Sequence, residues 1–254
     1  MRLKRAWRRG VLALTVTVGI AGAAGVSVVL SEPVGATIPK PRAAWSQSAD
    51  LVAMALPTSP LTMGSATRLL AMQQMQLAAP QLPGYFAENW APFGTQRIRT
   101  IDGHEIGENE CAKVDGAGIW TQQSFSGGGG QNVAIQDTFA FTSSGTAQSA
   151  YQNVVAGMSA CQQITRALQA SNNVSVDATV TNTVSQAGAA AWARSWTGVM
   201  GVSAAGPQTN HLYVALAGTS LIVLQFTEFP GHAAVYDVTA DPSVLSIIEA
   251  GLAR

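Results

Sequence analysis

Residues 211–228 read HLYVALAGTSLIVLQFTE, and this stretch decides the fold. Two apolar runs, 212–216 and 221–224, flank the pair Gly218 and Thr219, which predicts two strands joined by a tight hairpin turn. The runs are apolar at consecutive positions, which is typical of strands that are buried on both faces. We therefore expect this hairpin at the centre of a sheet, with a helix covering at least one face.

Further strands and helices are predicted on both sides of the hairpin. A helix over residues 144–168 has an apolar residue every three or four positions, and a closing helix over 241–252 begins with Asp241 as its cap and Pro242 at its first position. The strands are expected at 118–125, 133–142, 173–184, 189–199, 211–217 and 220–228. This order predicts an α+β domain: a twisted, mainly antiparallel sheet with helices packed on one face.

The N-terminus has the pattern of an export signal. Five basic residues among the first nine positions precede an uncharged run that starts at Gly10, and small residues at Val34 and Ala36 fit a cleavage site. Residues 1–36 are therefore interpreted as a signal peptide, with an uncleaved N-terminal anchor as the alternative, because the run is long enough to span a bilayer. Either outcome predicts an extracellular or envelope-associated protein.

The remaining chain divides into three predicted parts. Residues 37–64 read as a Pro/Ala-rich linker, and 65–110 as a helical or irregular N-terminal extension of the domain. Within this extension, 65–77 is expected to be a helix whose Met72 and Met75 fill the core. Residues 111–254 form the predicted α+β domain.

Charge argues against nucleic acid as a partner. The whole chain is formally neutral, but without residues 1–36 it has nine basic against thirteen acidic residues. Nucleic-acid binding needs basic patches, which a mildly acidic chain of this kind lacks.

Two cysteines, Cys111 and Cys161, can be oxidised to each other outside the cytoplasm. The 144–168 helix places Cys161 on its apolar side, together with Tyr151, Val154, Met158, Ile164 and Leu168, where it can reach Cys111 ahead of the first strand. A disulfide is therefore expected.

No catalytic motif is recognisable. The serine pattern around Ser159 lacks its final glycine and lies inside a helix, and Asp137 and Glu228 form no recognisable carboxylate pair. His104, with acids from Asp102 to Asp115 that include Glu108 and Glu110, is the densest polar group. It could hold a metal ion, but its spacing matches no ligand motif, so we interpret it as a solvated acidic loop and predict neither metal nor cofactor.

The most binding-like feature is the alternation of Trp192, Arg194 and Trp196 along one strand, which points all three side chains to the same sheet face. Two indoles that flank a guanidinium could hold a sugar ring, an anionic head group or a peptide. The alternative is a packed face on which the arginine lies over an indole. The row is the candidate ligand site.

Several stretches resemble one known family: Asn109-Glu110-Cys111, Gln122-Gln123-Ser124-Phe125, Phe139-Ala140-Phe141, and the helix that leads to Cys161. Residues 111–252 are similar to the extracytoplasmic sensor domain of actinobacterial serine/threonine kinases of the PknH type and its kinase-free secreted relatives. The resemblance implies a disulfide-braced α+β fold with a cleft for an unidentified extracellular ligand and no catalytic residues. The chain has one possible disulfide where the kinase sensor has two, and it has no kinase domain.

Together these observations predict an exported, non-enzymatic, sensor-like domain that binds an extracellular small molecule or envelope component in a cleft. Two alternatives stay open: an extracellular hydrolase with dispersed acid and base residues, or a module that docks an envelope protein.

Overall fold

The computed structural model describes residues 71–231 and 235–253. The predicted signal, the linker and the first part of the predicted 65–77 helix lie outside these residues. The described part of that helix ends in a turn at Met75, and both Met72 and Met75 are buried, as core residues should be.

Seven strands form one antiparallel sheet, which confirms the predicted α+β class. Their order across the sheet is β1-β4-β5-β9-β8-β7-β6, and a separate two-stranded ladder joins β2 to β3. The strands are β1 (Ala91–Thr100), β2 (Ile106–Gly107), β3 (Lys113–Val114), β4 (Ile119–Gly127), β5 (Asn132–Ala140), β6 (Thr179–Gln186), β7 (Ala189–Gly198), β8 (Gly206–Ala217) and β9 (Ser220–Glu228).

The hairpin of β8 and β9 lies near the centre of the sheet, between β5 and β7, as predicted. Leu216 pairs with Leu221 across the turn, and the pairing continues to Thr209 and Glu228. Because both strands are apolar at consecutive positions, each contributes side chains to both faces of the sheet.

Helices cover both faces of this sheet, whereas the sequence predicted them on one. Besides the end of the 65–77 helix, the helices of the described residues are α1 (Tyr85–Glu88), α2 (Ser144–Ser171) and α3 (Asp241–Leu252). Leu212, Val214, Leu221 and Val223 belong to the cluster packed under α2, whereas Tyr213, Ala215, Ile222 and Leu224 pack with Leu245 and Ile248 of α3. Strands that are apolar on both faces require two covers, which explains the difference.

Helix α2 begins after Ser143, whose hydroxyl accepts a hydrogen bond from the amide of Thr146 at 3.1 Å. Its buried face agrees with prediction as far as Cys161. Beyond that point Thr165 and Gln169 are buried, whereas Ile164, predicted on this face, is exposed. The end of the buried face is therefore polar.

Asp241 is the first residue of α3 and does not cap it through its side chain. Its carboxylate instead accepts hydrogen bonds from the hydroxyls of Tyr213, at 2.7 Å, and Thr183. Asp241, which was predicted to cap this helix, therefore links α3 to the sheet through hydrogen bonds.

Strand β1 was not predicted, because its side chains do not alternate between apolar and polar and most of them are exposed. It pairs with β4 along the sheet edge, with an irregularity in register between Phe93 and Arg97. Before β1, residues 75–90 lie on the α3 face. Gln136 holds them there: it accepts from the amide of Leu77 at 2.9 Å and donates to the carbonyl of Met75 at 3.1 Å.

Candidate functional site

The predicted binding row does point to one sheet face, but that face is covered. Trp192, Arg194 and Trp196 are 3%, 2% and 3% exposed. Trp192 packs in the cluster under α2, and Trp196 packs with Ala178 and Val199. The three side chains are thus part of a packed face in this structure, which is the arrangement of the alternative interpretation.

Arg194 is the centre of a closed polar cluster. Its guanidinium forms an ion pair with Glu110, donates to Asn210 Oδ1 at 2.9 Å and to Thr165 Oγ1 at 3.2 Å, and lies 4.3 Å from the ring centroid of Trp196. Burial lowers the pKa of Arg194, and the charge of Glu110 opposes that shift. The cluster ties the loop before Cys111 to α2, β7 and β8.

Cys111 and Cys161 form a disulfide beside this cluster, as predicted. The bond joins the loop before β3 to the middle of α2, and neither cysteine of the chain is free. The main chain of Cys111 also lies close to α2, because its carbonyl oxygen would be 2.2 Å from a Cβ placed on Gly157.

The loop expected to be solvated is partly buried. His104 and Glu105 are exposed, but Glu108 is 4% exposed and the side chain of Glu110 is 14% exposed. In the described parts of the chain, no group of three or more potential ligand side chains could hold a metal ion. The acidic loop predicted to be solvated is therefore exposed at His104 and Glu105 and buried at Glu108.

Glu108 and Asp137 are buried carboxyl groups that interact electrostatically. Burial raises the pKa of Glu108, and Asp137 raises it further, although Gln225 donates to Glu108 at 2.7 Å. Burial also raises the pKa of Asp137 to about 7, against the opposing effect of a 2.7 Å hydrogen bond from the Trp120 indole. Two carboxyls this close do not both ionise easily, so the pair keeps a proton near neutral pH.

Asp137 and Glu228 do not converge. Asp137 shares the α2 face with Trp120, whereas Glu228 pairs with His211 at 2.8 Å, next to the rings that pack on the α3 face. The amide of Tyr236 also donates to Glu228, at 2.9 Å. The two carboxylates therefore cannot act together on one substrate.

A cavity of about 270 Å³ opens on the α3 face, and we call it the Glu88 cavity. It lies between residues 83–88 and 235–240, with Phe226 of β9 in its wall. Pro83, Ala87 and Val235 contribute further apolar lining, and Tyr236 and Asp237 complete the side formed by the later segment.

Glu88 is the buried polar group of this cavity, at 3% exposed. Both of its oxygens lie 2.9 Å from the amide nitrogen of Asn132, which donates to them. Burial raises the pKa of Glu88, the hydrogen bond from Asn132 opposes this, and the charge of Glu228 raises it further. Within the described residues, no Lys, Arg or His pairs with this carboxylate.

Local geometry holds Glu88 in place. Helix α1 is a single turn between two residues with left-handed backbone, Gly84 and Asn89, so the chain reverses sharply at both ends. The indole of Trp90 donates to the carbonyl of Pro83 at 2.7 Å. Gly127 lies so close to that indole that an added Cβ would be 2.5 Å from it, so only glycine fits there.

Sequence reasoning missed the Glu88 cavity, since its two sides are far apart in the chain and one belongs to the predicted irregular extension. The aromatic run YFAENW over 85–90 is the signal that could have indicated a packed and functional segment there.

No protein-family model and no curated protein matches the chain. Among solved structures, the extracellular domain of PknH from Mycobacterium tuberculosis is similar, at 8% sequence identity and a TM-score of 0.45. The match covers 77% of this chain and 99% of that one. Such a likeness is a distant similarity of fold. Within the described residues, no helix has the length and apolarity needed to cross a bilayer.

Proposed function

We propose that the chain is an exported, non-catalytic binding module and that its ligand is a small molecule held in the Glu88 cavity. The observation that carries the proposal is Glu88 itself, a buried carboxylate at an open cavity with no basic partner among the described residues. Burying a charge without a counter-charge is costly, and a ligand that supplies a polar or charged group would offset that cost.

The cavity has the composition of a binding site. Its lining is mostly apolar, with a few polar groups, as in typical small-molecule sites. Binding is proposed over catalysis because the described lining residues include no Ser, Thr, Cys, His or Lys that could act as a nucleophile or base beside Glu88. A sensor-like role, in which binding is reported to a partner, belongs to the same proposal.

Export is supported by two independent features. The basic and then apolar N-terminal sequence has the pattern of a signal, and the Cys111–Cys161 disulfide requires an oxidising compartment. The ligand is therefore expected among extracellular small molecules or components of the cell envelope.

The proposal is tested by filling the cavity. Ala87 is exposed and lines it, so Ala87→Trp should occupy the space without disturbing the core. Small-molecule fragments and envelope components are screened by thermal shift and by NMR chemical shifts, because a ligand that binds only the folded state raises the melting temperature. Compounds that stabilise the wild type should lose their effect in Ala87→Trp.

The matched control is Phe86→Trp, which places the same indole at the neighbouring residue of α1, a position that is 99% exposed and does not line the cavity. This variant should bind like the wild type. If no compound changes the melting temperature or the NMR spectrum of the wild type, the Glu88 cavity is not the ligand site. The same conclusion follows if every compound that acts on the wild type acts equally on both variants.

A further inference from the structure

The lining of the Glu88 cavity has an excess of negative charge. Glu88 and Asp237 are both in its lining, and the charge of Glu228 is close enough to raise the pKa of Glu88. Within the described part of the chain, no Lys, Arg or His is in the lining. An anionic ligand would be repelled here, whereas a cation would be attracted by more than one carboxylate.

The rest of the lining is unsuited to a metal cation. Calcium takes six to eight oxygen ligands and magnesium takes six, many of them from protein or water. Here the wall is built from Phe226, Tyr236, Pro83 and Val235, which offer mainly carbon atoms. A cation that fits must therefore carry its own apolar surface.

Aromatic rings supply a second attraction for such a cation. The rings of Phe226 and Tyr236 are perpendicular, with centroids 5.2 Å apart. His211 stacks on Phe226 at 4.3 Å between centroids and holds that ring in position. Aromatic rings beside carboxylates are the combination that binds alkylated ammonium groups, through cation–π attraction and charge pairing.

We infer that the Glu88 cavity binds an organic ammonium ion, with Glu88 as the counter-charge and Phe226 and Tyr236 against its alkyl groups. This inference rests on the proposed function, since it names the ligand class of the same site. The ligand class includes quaternary and alkylated amines, both free and as the head group of a larger molecule.

The test compares two probes of equal shape. Choline carries a trimethylammonium group, and 3,3-dimethylbutan-1-ol is its neutral analogue with carbon in place of nitrogen. Titration calorimetry with the full-length protein should give choline at least about tenfold higher affinity, because only choline gains the charge interactions. Intrinsic tryptophan fluorescence, to which Trp90 beside Phe226 contributes, provides a second readout.

Glu88→Gln removes the charge and keeps the shape, and its side-chain oxygen can still accept from Asn132. This variant should lose the preference for choline and bind both probes with similar affinity. Glu105→Gln is the control, because it removes an equal charge from an exposed residue paired with Lys113, outside the cavity. It should behave like the wild type, and circular dichroism shows whether each variant folds.

The outcomes separate the inference from the proposed function. Equal affinity for the two probes, or a choline preference that survives Glu88→Gln, overturns the ammonium assignment and leaves the proposed cavity site intact. The ammonium assignment is also overturned, and the cavity site kept, if neither probe binds but neutral fragments raise the melting temperature of the wild type and not that of Ala87→Trp. If no probe and no fragment binds the wild type, both the inference and the proposed function fail.

Discussion

At the scale of single residues, charge is placed in this protein in two contrasting ways. The ion pair of Lys113 and Glu105 joins side chains that are 60% and 51% exposed, where water weakens the attraction. Arg194 and Glu110 form an ion pair at 2% and 14% exposed, and loss of either partner would leave a buried charge unpaired. The second pair therefore matters far more for stability.

The carboxyl pair of Glu108 and Asp137 predicts a specific dependence of stability on pH. Burial raises both pKa values above those of the unfolded chain, that of Asp137 to about 7. The folded state thus binds protons more tightly, so the free energy of unfolding should fall as pH rises from roughly 4 to 7. Urea denaturation at a series of pH values measures this slope.

Asp137→Asn should flatten that slope, because an amide can donate to Glu108 without a shared proton and can still accept from Trp120. The variant is expected to gain stability at pH 8 relative to the wild type, on the order of a few kcal/mol. Asp115→Asn, at an exposed position, is the control and should leave the slope unchanged. If the free energy of unfolding depends on pH equally in all three proteins, Glu108 and Asp137 do not share a proton.

Sequence could identify these residues but not their environment. Strand geometry alone determines which side chains point to the same face of a sheet. The sequence therefore correctly predicts that Trp192, Arg194 and Trp196 lie on one face. Whether that face is open depends on which element packs over it. Here α2 and the loop that carries Glu110 cover it, through contacts between residues 29 and 84 positions apart.

At the scale of elements, the approach of α2 to the Cys111 loop depends on one glycine. A Cβ on Gly157 would lie 2.2 Å from the carbonyl oxygen of Cys111. Gly157→Ala should therefore destabilise the protein by about 1–3 kcal/mol, although alanine is the better helix former. Chemical denaturation measures the loss.

Gly145→Ala is the matched control, in the first turn of the same helix. Its nearest neighbour would be the Ser143 hydroxyl at 3.9 Å, an ordinary contact. We expect no loss of stability there and a small gain from helix propensity. A Gly157→Ala protein as stable as Gly145→Ala would show that the loop moves away from α2 at little cost.

Elements with strong periodicity were predictable, and those with weak periodicity were not. Strand β9 and helices α2 and α3 have apolar patterns that match their burial, so their positions agree closely with prediction. Strand β8 ends where predicted but begins at Gly206, before the predicted start at 211. Strand β1 lies at an edge with most side chains exposed, so no apolar pattern marks it. Edge strands are held by backbone pairing, which leaves little trace in side-chain chemistry.

At the scale of the whole molecule, the disulfide closes a loop of 50 residues that contains β3, β4, β5 and the larger part of α2. Cys111→Ala with Cys161→Ala should lower the free energy of unfolding by about 4 kcal/mol, because the unfolded chain gains entropy. Dithiothreitol should lower the melting temperature of the wild type and have no effect on the double variant. A wild type indifferent to reduction would contradict this account.

The class of the molecule was predictable, whereas its two-sided packing and its cavity were not. Apolar strands at the sheet centre require cover, but the pattern does not say which helix covers which face. The Glu88 cavity depends on residues 83–88 and 235–240 meeting over β9, and a contact between such distant segments has no local signature.

The strand order also determines when the molecule can fold. Strands β1, β4 and β5 pair with one another, and so do β6 and β7, but the two groups join only through β8 and β9, which end at Glu228. During synthesis, the earlier strands leave the ribosome as two groups that no strand pairing joins. A chain that acquires its central strands after the outer ones cannot complete this sheet before Glu228 has been made.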